Sequence, residues 1–171
     1  MGVTYTTTSA ATYVPIATTT LASAAATYTF SSIPSTYTDL VLVINGGTVT
    51  ASQDMYMQFN SDTGSNYSQT YVRGNGTAAS SSRFTAQSNG WLDFTGANND
   101  LNQMWTAQIM NYSNATTYKT YLSRFSRAST ATEAIVGLWR NTAAISTILV
   151  GTSSGNILSG TSLTLYGILG A

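Results

Sequence analysis

The sequence predicts an all-β protein, an antiparallel β-sandwich of jelly-roll type with about nine to eleven strands. Three observations carry that expectation. Threonine, valine, isoleucine and tyrosine fill the segments between two prolines and 14 glycines, which is a strand-forming vocabulary. Apolar runs recur about every 10 to 15 residues with Asn, Ser, Thr and Gly clusters between them. No segment shows the 3.6-residue apolar period of an amphipathic helix.

Taken in order, residues 1–17 read as an extended N-terminal arm and residues 18–171 as one sandwich domain. Residues 4–8 and 15–21 have extended character, and 21–26 (LASAAA) is the one short piece with helical leanings. Tyr28 and Phe30 alternate with threonines, so 26–30 is expected as a strand, followed by a turn at 31–38 around Pro34. Residues 39–44 (DLVLVI) form a continuous apolar run closed by Asn45-Gly46-Gly47, which fits a central strand buried on both faces. In 54–60 (DMYMQFN) the alternation puts Met55, Met57 and Phe59 on the inward face. Residues 61–65 read as the turn of a hairpin with Gly64 at positive φ, and 66–73 as its returning strand. The stretch 74–82 (GNGTAASSS) reads as a loop, 83–94 as one or two short strands, and 96–102 as a second polar loop. Strands are then expected over 101–111, 118–127, 133–140, 144–151 and 161–168.

Composition narrows function. Charged residues make up 7% of the chain against about 25% in an average domain, and Ser, Thr and Asn fill roughly a third of it instead. Six basic and six acidic side chains cancel, which argues against nucleic acid or an anionic membrane as a partner. Cysteine and histidine are absent, so disulfides, thiol nucleophiles, Cys/His zinc sites and a Ser-His-Asp triad are excluded. The start lacks the basic and apolar regions of a secretory signal, and no run reaches a membrane span. Gly2 followed by Thr6 matches a myristoylation pattern, but without a basic patch such an anchor is marginal.

The remaining candidates for chemistry are few. Asp93 and Asp100 flank a Gly/Asn-rich turn, where aspartates ordinarily bond their own backbone rather than act as a catalytic pair. Asn60, Asp62, Gly64 and Asn66 space oxygens as a calcium loop would, but Tyr71 or Arg73 stands where its bidentate glutamate belongs. Sequons at Asn66, Asn75, Asn111 and Asn114 are expected by chance in such a composition. The reading is therefore of a non-enzyme with no cofactor and no metal. Trp105 and Trp139 sit inside strand patterns and are expected in the core, whereas Trp91 follows Asn89-Gly90 and is expected near a surface. Trp91, Tyr67, Tyr71, Arg73 and Asn75 are the candidate contact residues for a partner or a glycan. Residues 1–100 carry net minus three and residues 101–171 net plus three, which is either scatter among few charges or the mark of a self-complementary surface.

Residues 28–44 (YTFSSIPSTYTDLVLVI), 58–68 (QFNSDTGSNYS) and 160–168 (GTSLTLYGI), with a weaker echo over 118–140, carry a resemblance. Together they resemble a small β-module found in structural proteins of tailed bacteriophages, notably those of cyanobacteria and other aquatic bacteria. The resemblance spans most of the chain from about residue 18 and lies in scaffold motifs, so it implies no catalytic residue and no ligand. It implies localisation in the virion, as a decoration, capping or tail- or fibre-associated module docked to other capsid or tail proteins. The uncharged first 38 residues and the neutral chain lead us to expect a homo-oligomer, with a trimer expected from the threefold symmetry common in phage appendages. The alternative is a carbohydrate-binding adhesin for host surface glycan.

Overall fold

The computed structural model describes residues 12–50 and 52–169, which build twelve strands in two packed antiparallel sheets. The strands are β1 (Tyr13–Thr20), β2 (Thr27–Phe30), β3 (Asp39–Gly46), β4 (Met55–Phe59), β5 (Tyr67–Gly74) and β6 (Ala79–Gln87). They continue as β7 (Gly90–Trp91), β8 (Gln103–Met110), β9 (Lys119–Arg127), β10 (Ala131–Trp139), β11 (Ile148–Thr152) and β12 (Ser162–Ile168). One sheet has eight strands in the order β1-β12-β3-β8-β9-β10-β5-β6, and the other has four in the order β2-β11-β4-β7. The chain alternates between sheets in the manner of a jelly roll, except along β5–β6 and β8–β9–β10, which run as hairpins.

The core follows from the period-two pattern of the inner faces. Leu40, Leu42, Ile44, Trp105, Ala107, Ile109, Tyr121, Phe125, Ile135 and Trp139 of the large sheet are buried against Phe30, Met55, Met57, Phe59, Ile148 and Val150 of the small one. The inward placement of Met55, Met57 and Phe59, and the burial of Trp105 and Trp139, match the sequence expectation. Val41 is buried on the outer face of β3 while Val43 is half-buried, so this strand is covered on both sides for part of its length.

Several expectations are corrected. Residues 13–17, assigned to the arm, belong to β1, which pairs with β12 along the edge of the large sheet. Pro15 is tolerated there because an edge strand can spare an N–H, and the register shifts beside it. The readings of Gly2, Thr6 and residues 4–8 lie outside the described residues. Residues 21–26 form no helix. Six residues cannot recover the cost of nucleation, and the Ala25 amide and carbonyl bond the carbonyl and amide of Ile157 instead.

β4 and β5 are not a hairpin but lie in opposite sheets, with β4 between β11 and β7 and β5 between β10 and β6. The turn between them crosses the sandwich, using positive φ at Asn60 and Ser61 rather than at Gly64. Asn60 fixes the crossing, accepting at Oδ1 from the Ser146 and Thr147 amides (2.9 and 3.1 Å) and donating from Nδ2 to the Ala144 carbonyl (2.8 Å). Residues 79–82, read as loop, continue β6. An edge strand exposed on both faces needs no apolar side chain to pair its backbone. β7 and the edge strand β1 raise the strand number above the expected range.

Gly137 marks a close approach between β10 and β9. A Cβ there would lie 1.9 Å from the ring of Tyr121, its cross-strand neighbour, while one at Gly74 would meet nothing within 4 Å. Gly137→Ala should therefore lose about 1–3 kcal/mol to overpacking. Gly74→Ala should stay within about 0.5 kcal/mol of the parent in urea unfolding. Met57 is wholly buried, so Met57→Asp should abolish soluble folding; a normally folded variant would mean a register slipped by one residue.

Candidate functional site

Residues 92–97 lie between the sheets, and two of the three buried charged residues among those described, Asp93 and Glu133, meet there, while the third, Lys119, donates to the Thr117 and Thr142 carbonyls (2.7 and 3.0 Å). Asp93 is fully buried, and its carboxylate accepts from the Met55 amide (2.7 Å), the Gly96 amide (3.1 Å) and the Trp105 indole N–H (3.1 Å). Burial pushes its pKa well above the usual carboxylate range. The Met55 amide works against that rise, and the charges of Asp54 and Glu133 add to it. The next residues are held by β10 and β5. Glu133, buried on β10, accepts from the Phe94 amide (2.7 Å) and from the Thr95 hydroxyl. Arg73 Nη1 on β5 donates to the Phe94 carbonyl (3.1 Å) and lies 3.8 Å from Glu133. An anion and a cation thus grip the two backbone groups of one residue. The Phe94 ring is placed against Phe84 and Tyr71, with ring centres 4.7 and 4.9 Å away.

The sequence candidates separate on this frame. Tyr71 and Arg73 meet at Phe94, and the Arg73 guanidinium also lies 5.9 Å from the centre of the Tyr71 ring. Trp91 joins the same strip. It is half-buried at the edge of the small sheet, 5.8 Å from both the Tyr56 and Phe94 rings. Tyr67 is a correction, because it is fully buried, stacks on Trp139 at 6.3 Å and accepts from the Phe59 amide through its hydroxyl (2.9 Å). Its threonine- and serine-rich surroundings suggested a surface, but its parity places it inward with Gln69 and Tyr71. Asn75 stands apart from the others. It fixes the exposed β5–β6 turn by accepting from the Thr77 and Ala78 amides (3.1 and 2.8 Å).

The oxygens proposed for chemistry serve turns and strand ends. Asp62 accepts from the Trp139 indole (2.7 Å), from Asn66 and from the Gly64 amide. Asp100 accepts from the Asn102 amide (3.0 Å) and pairs with Arg127 at 3.3 Å. That pair joins an acid of the net-negative half to a base of the net-positive half, so part of the opposed charge is satisfied within the chain, whereas Arg73–Glu133 pairs the minority charge of each half. Among the described residues no group of three acidic side chains is close enough to hold a metal ion.

The outer face of the large sheet is a feature that sequence reasoning missed. Register aligns one cross-strand row as Pro15, Tyr166, Val41, Gln108, Leu122, Val136, Thr70 and Arg83. The next row runs Thr18, Thr164, Val43, Thr106, Arg124, Ala134, Val72 and Ser81. Leu122, Val136, Val72 and Tyr13 are 48%, 50%, 55% and 54% exposed on this face, around a depression of about 690 Å³. The only charges in the two rows are Arg83 and Arg124. The signal was present in the strand patterns, since Leu122 and Val136 occupy the parity opposite to Tyr121 and Ile135. A smaller cleft of about 660 Å³ lies at one end of the sheet between Asn75, Leu101, Met104 and Arg127.

Asp54 carries a second consequence of the buried charge. Partial burial first, and the Glu133 charge second, raise its pKa from 3.8 to about 6. Folded-state pKa values raised at Asp54 and Asp93 favour the protonated forms, so their stabilisation is lost as pH rises through the folded values. Thermal melting should accordingly move upward between pH 8 and pH 5. Asp54→Asn should melt higher than the parent at pH 8 and show a smaller rise toward pH 5.

The chain matches no protein-family model and no curated protein. Among solved structures it is similar to Caenorhabditis elegans galectin LEC-6, at 8% identity and a TM-score of 0.36, covering 90% of this chain and 96% of that one. It is also similar to a human SPRY domain, at 9% identity and a TM-score of 0.34, with 82% of each chain covered. A third likeness is to exo-inulinase from Aspergillus awamori, at 9% identity and a TM-score of 0.32, covering 90% of this chain and 29% of that one.

Proposed function

We propose that the protein is a non-enzymatic structural component of a tailed-bacteriophage virion, exposed on the particle and acting by protein–protein docking through the outer face of its large sheet. The observation that carries the docking role is the cluster of Leu122, Val136 and Val72, each about half exposed on the adjacent strands β9, β10 and β5, with Arg83 and Arg124 the only charges in their two rows. Exposed apolar side chains clustered on neighbouring strands are characteristic of interaction sites. The placement in a virion rests on the resemblance of residues 28–44, 58–68 and 160–168 to phage β-modules. The non-enzymatic reading is supported by what the carboxylates already do. Asp39, Asp62, Asp93, Asp100 and Glu133 all accept hydrogen bonds that fix turns or strand ends.

Mass spectrometry of purified particles, with heads and tails separated, should find the protein in fixed copy number in one fraction. Its absence from both would overturn the virion reading. Purified protein should leave peptidoglycan and lipopolysaccharide intact; turnover lost in a normally folded Asp100→Asn variant would replace docking with hydrolysis.

A second reading, a carbohydrate-binding module for host glycan, draws on Trp91, the half-exposed tryptophan beside Tyr71 and Arg73. Trp105 and Trp139 are buried, so a sugar stacking on Trp91 would alter the one tryptophan signal open to solvent. Titration with host polysaccharide should then shift fluorescence in the parent and not in Trp91→Ala. No shift in the parent removes this reading.

A further inference from the structure

We infer that the outer face of the large sheet takes an extended peptide segment of a partner protein, with a carboxylate that pairs with Arg124 and aliphatic side chains that fill the depression beside it. The inference deepens the docking reading and rests on it, but not on the virion assignment.

Charge is the first argument. Every other cation of the chain already has a partner. Lys119 donates to two carbonyls, Arg73 pairs with Glu133, and Arg127 pairs with Asp100. Arg140 donates to the Ser65 carbonyl and the Ser68 hydroxyl, and Arg83 Nε donates to Thr70 Oγ1 (3.2 Å). Arg124 is exposed and, among the described residues, meets neither a hydrogen-bond acceptor nor a carboxylate. Asp39 shares this face, but register puts it four residues along and two strands across, at about 17 Å by backbone spacing. Its oxygens already accept from Gln108 Nε2 (3.2 Å) and the Asn111 amide (2.8 Å). An unanswered cation on a surface otherwise nearly free of charge selects an anionic group in whatever covers it.

The surroundings of Arg124 are the second argument. Leu122 precedes it by two residues on β9, and Val136 lies diagonally across on β10. In the other direction Met104, 42% exposed, faces Ser126, the next outward residue of β9. Met104, Ser126 and Thr132 line the end cleft, and their row adjoins that of Thr106, Arg124 and Ala134, which line the depression. Arg124 thus stands where the two concavities meet, with apolar side chains on both sides. Three such rows span about 14 Å, the length of about four extended residues. An ion pair left in water would contribute little, whereas apolar contacts on either side exclude water from it. Those contacts are aliphatic chains and a thioether rather than the aromatic rings on which sugars stack, so they suit peptide side chains.

Selection of a random heptapeptide library on the immobilised full chain tests this. Enriched sequences should carry an aspartate or glutamate with leucine, isoleucine or valine one or two positions away. Fluorescence anisotropy of an enriched peptide should show binding weakened about 10- to 100-fold by Arg124→Gln. Changing the peptide's acid to its amide should cost the same, and the two changes together little more than either alone. Leu122→Ser should also weaken binding, while Arg83→Gln, three strands away from Arg124, should leave it within about threefold. An enriched set without an acidic residue, binding indifferent to Arg124→Gln, or no enriched peptide would overturn the inference. Binding of polygalacturonate that depends on Arg124, with no peptide enriched, would overturn it in favour of an anionic glycan. Acid-free peptides that lose binding in Leu122→Ser would leave the docking face standing and remove only the carboxylate partner. Peptides indifferent to both Arg124→Gln and Leu122→Ser would remove the docking face as well.

Discussion

The structure depends on a carboxylate that cannot be hydrated. Asp93 is closed off from water, which favours its protonated form, and a carboxyl group left without partners in that position would cost several kcal/mol. Its three donors belong to different parts of the fold: Met55 opens β4 in the small sheet, Trp105 lies in β8 of the large sheet, and Gly96 belongs to the same turn. The two sheets are therefore tied at one point by hydrogen bonds as well as by packing. Gly96 must turn the chain to present its amide, with φ at +83° and the Ser52 backbone 2.7 Å from where a Cβ would lie. Only glycine meets both demands.

Once Asp93 fixes the turn, its neighbour is placed for the second grip. Glu133 and Arg73 hold the Phe94 amide and carbonyl, and the ring is delivered to Tyr71 and Phe84. This arrangement couples the inside of the large sheet to its outside. With a side-chain period of two, turning Arg73 and Glu133 inward obliges Val72, Ala134 and Val136 to point out. The proposed docking cluster is thus set by the register that satisfies the buried charges. A slip of one residue in β10 would expose Ile135 and Trp139 and strand Glu133 outside its partners.

Much of this was legible where a segment's own pattern decides its place. Met55, Met57 and Phe59 alternate cleanly, and Trp105 and Trp139 sit among apolar neighbours, so their burial could be read directly. Sheet membership was not, because β4 and β5 present the same local pattern whether they pair with each other or with β11 and β10. Tyr67 was misplaced because its neighbours Ser68 and Thr70 face out, while it reaches inward to Phe59. The role of Asp93 in its own turn was visible, but its bonds to Met55 and Trp105 span 38 and 12 residues and have no local signature. Glu133 did leave a trace. It shares parity with Ile135 and Trp139, and a charge in an inward register announces a buried partner.

Amide hydrogen exchange tests the tie between the sheets most directly. If the Asp93 carboxylate holds Met55 and Gly96 as part of the cooperative unit, both amides should exchange only through global unfolding, as slowly as those of Leu42 and Ile44 in the centre of the large sheet. Exchange at Met55 and Gly96 as fast as in the exposed turn at residues 75–78 would show that the turn opens on its own and would contradict the account.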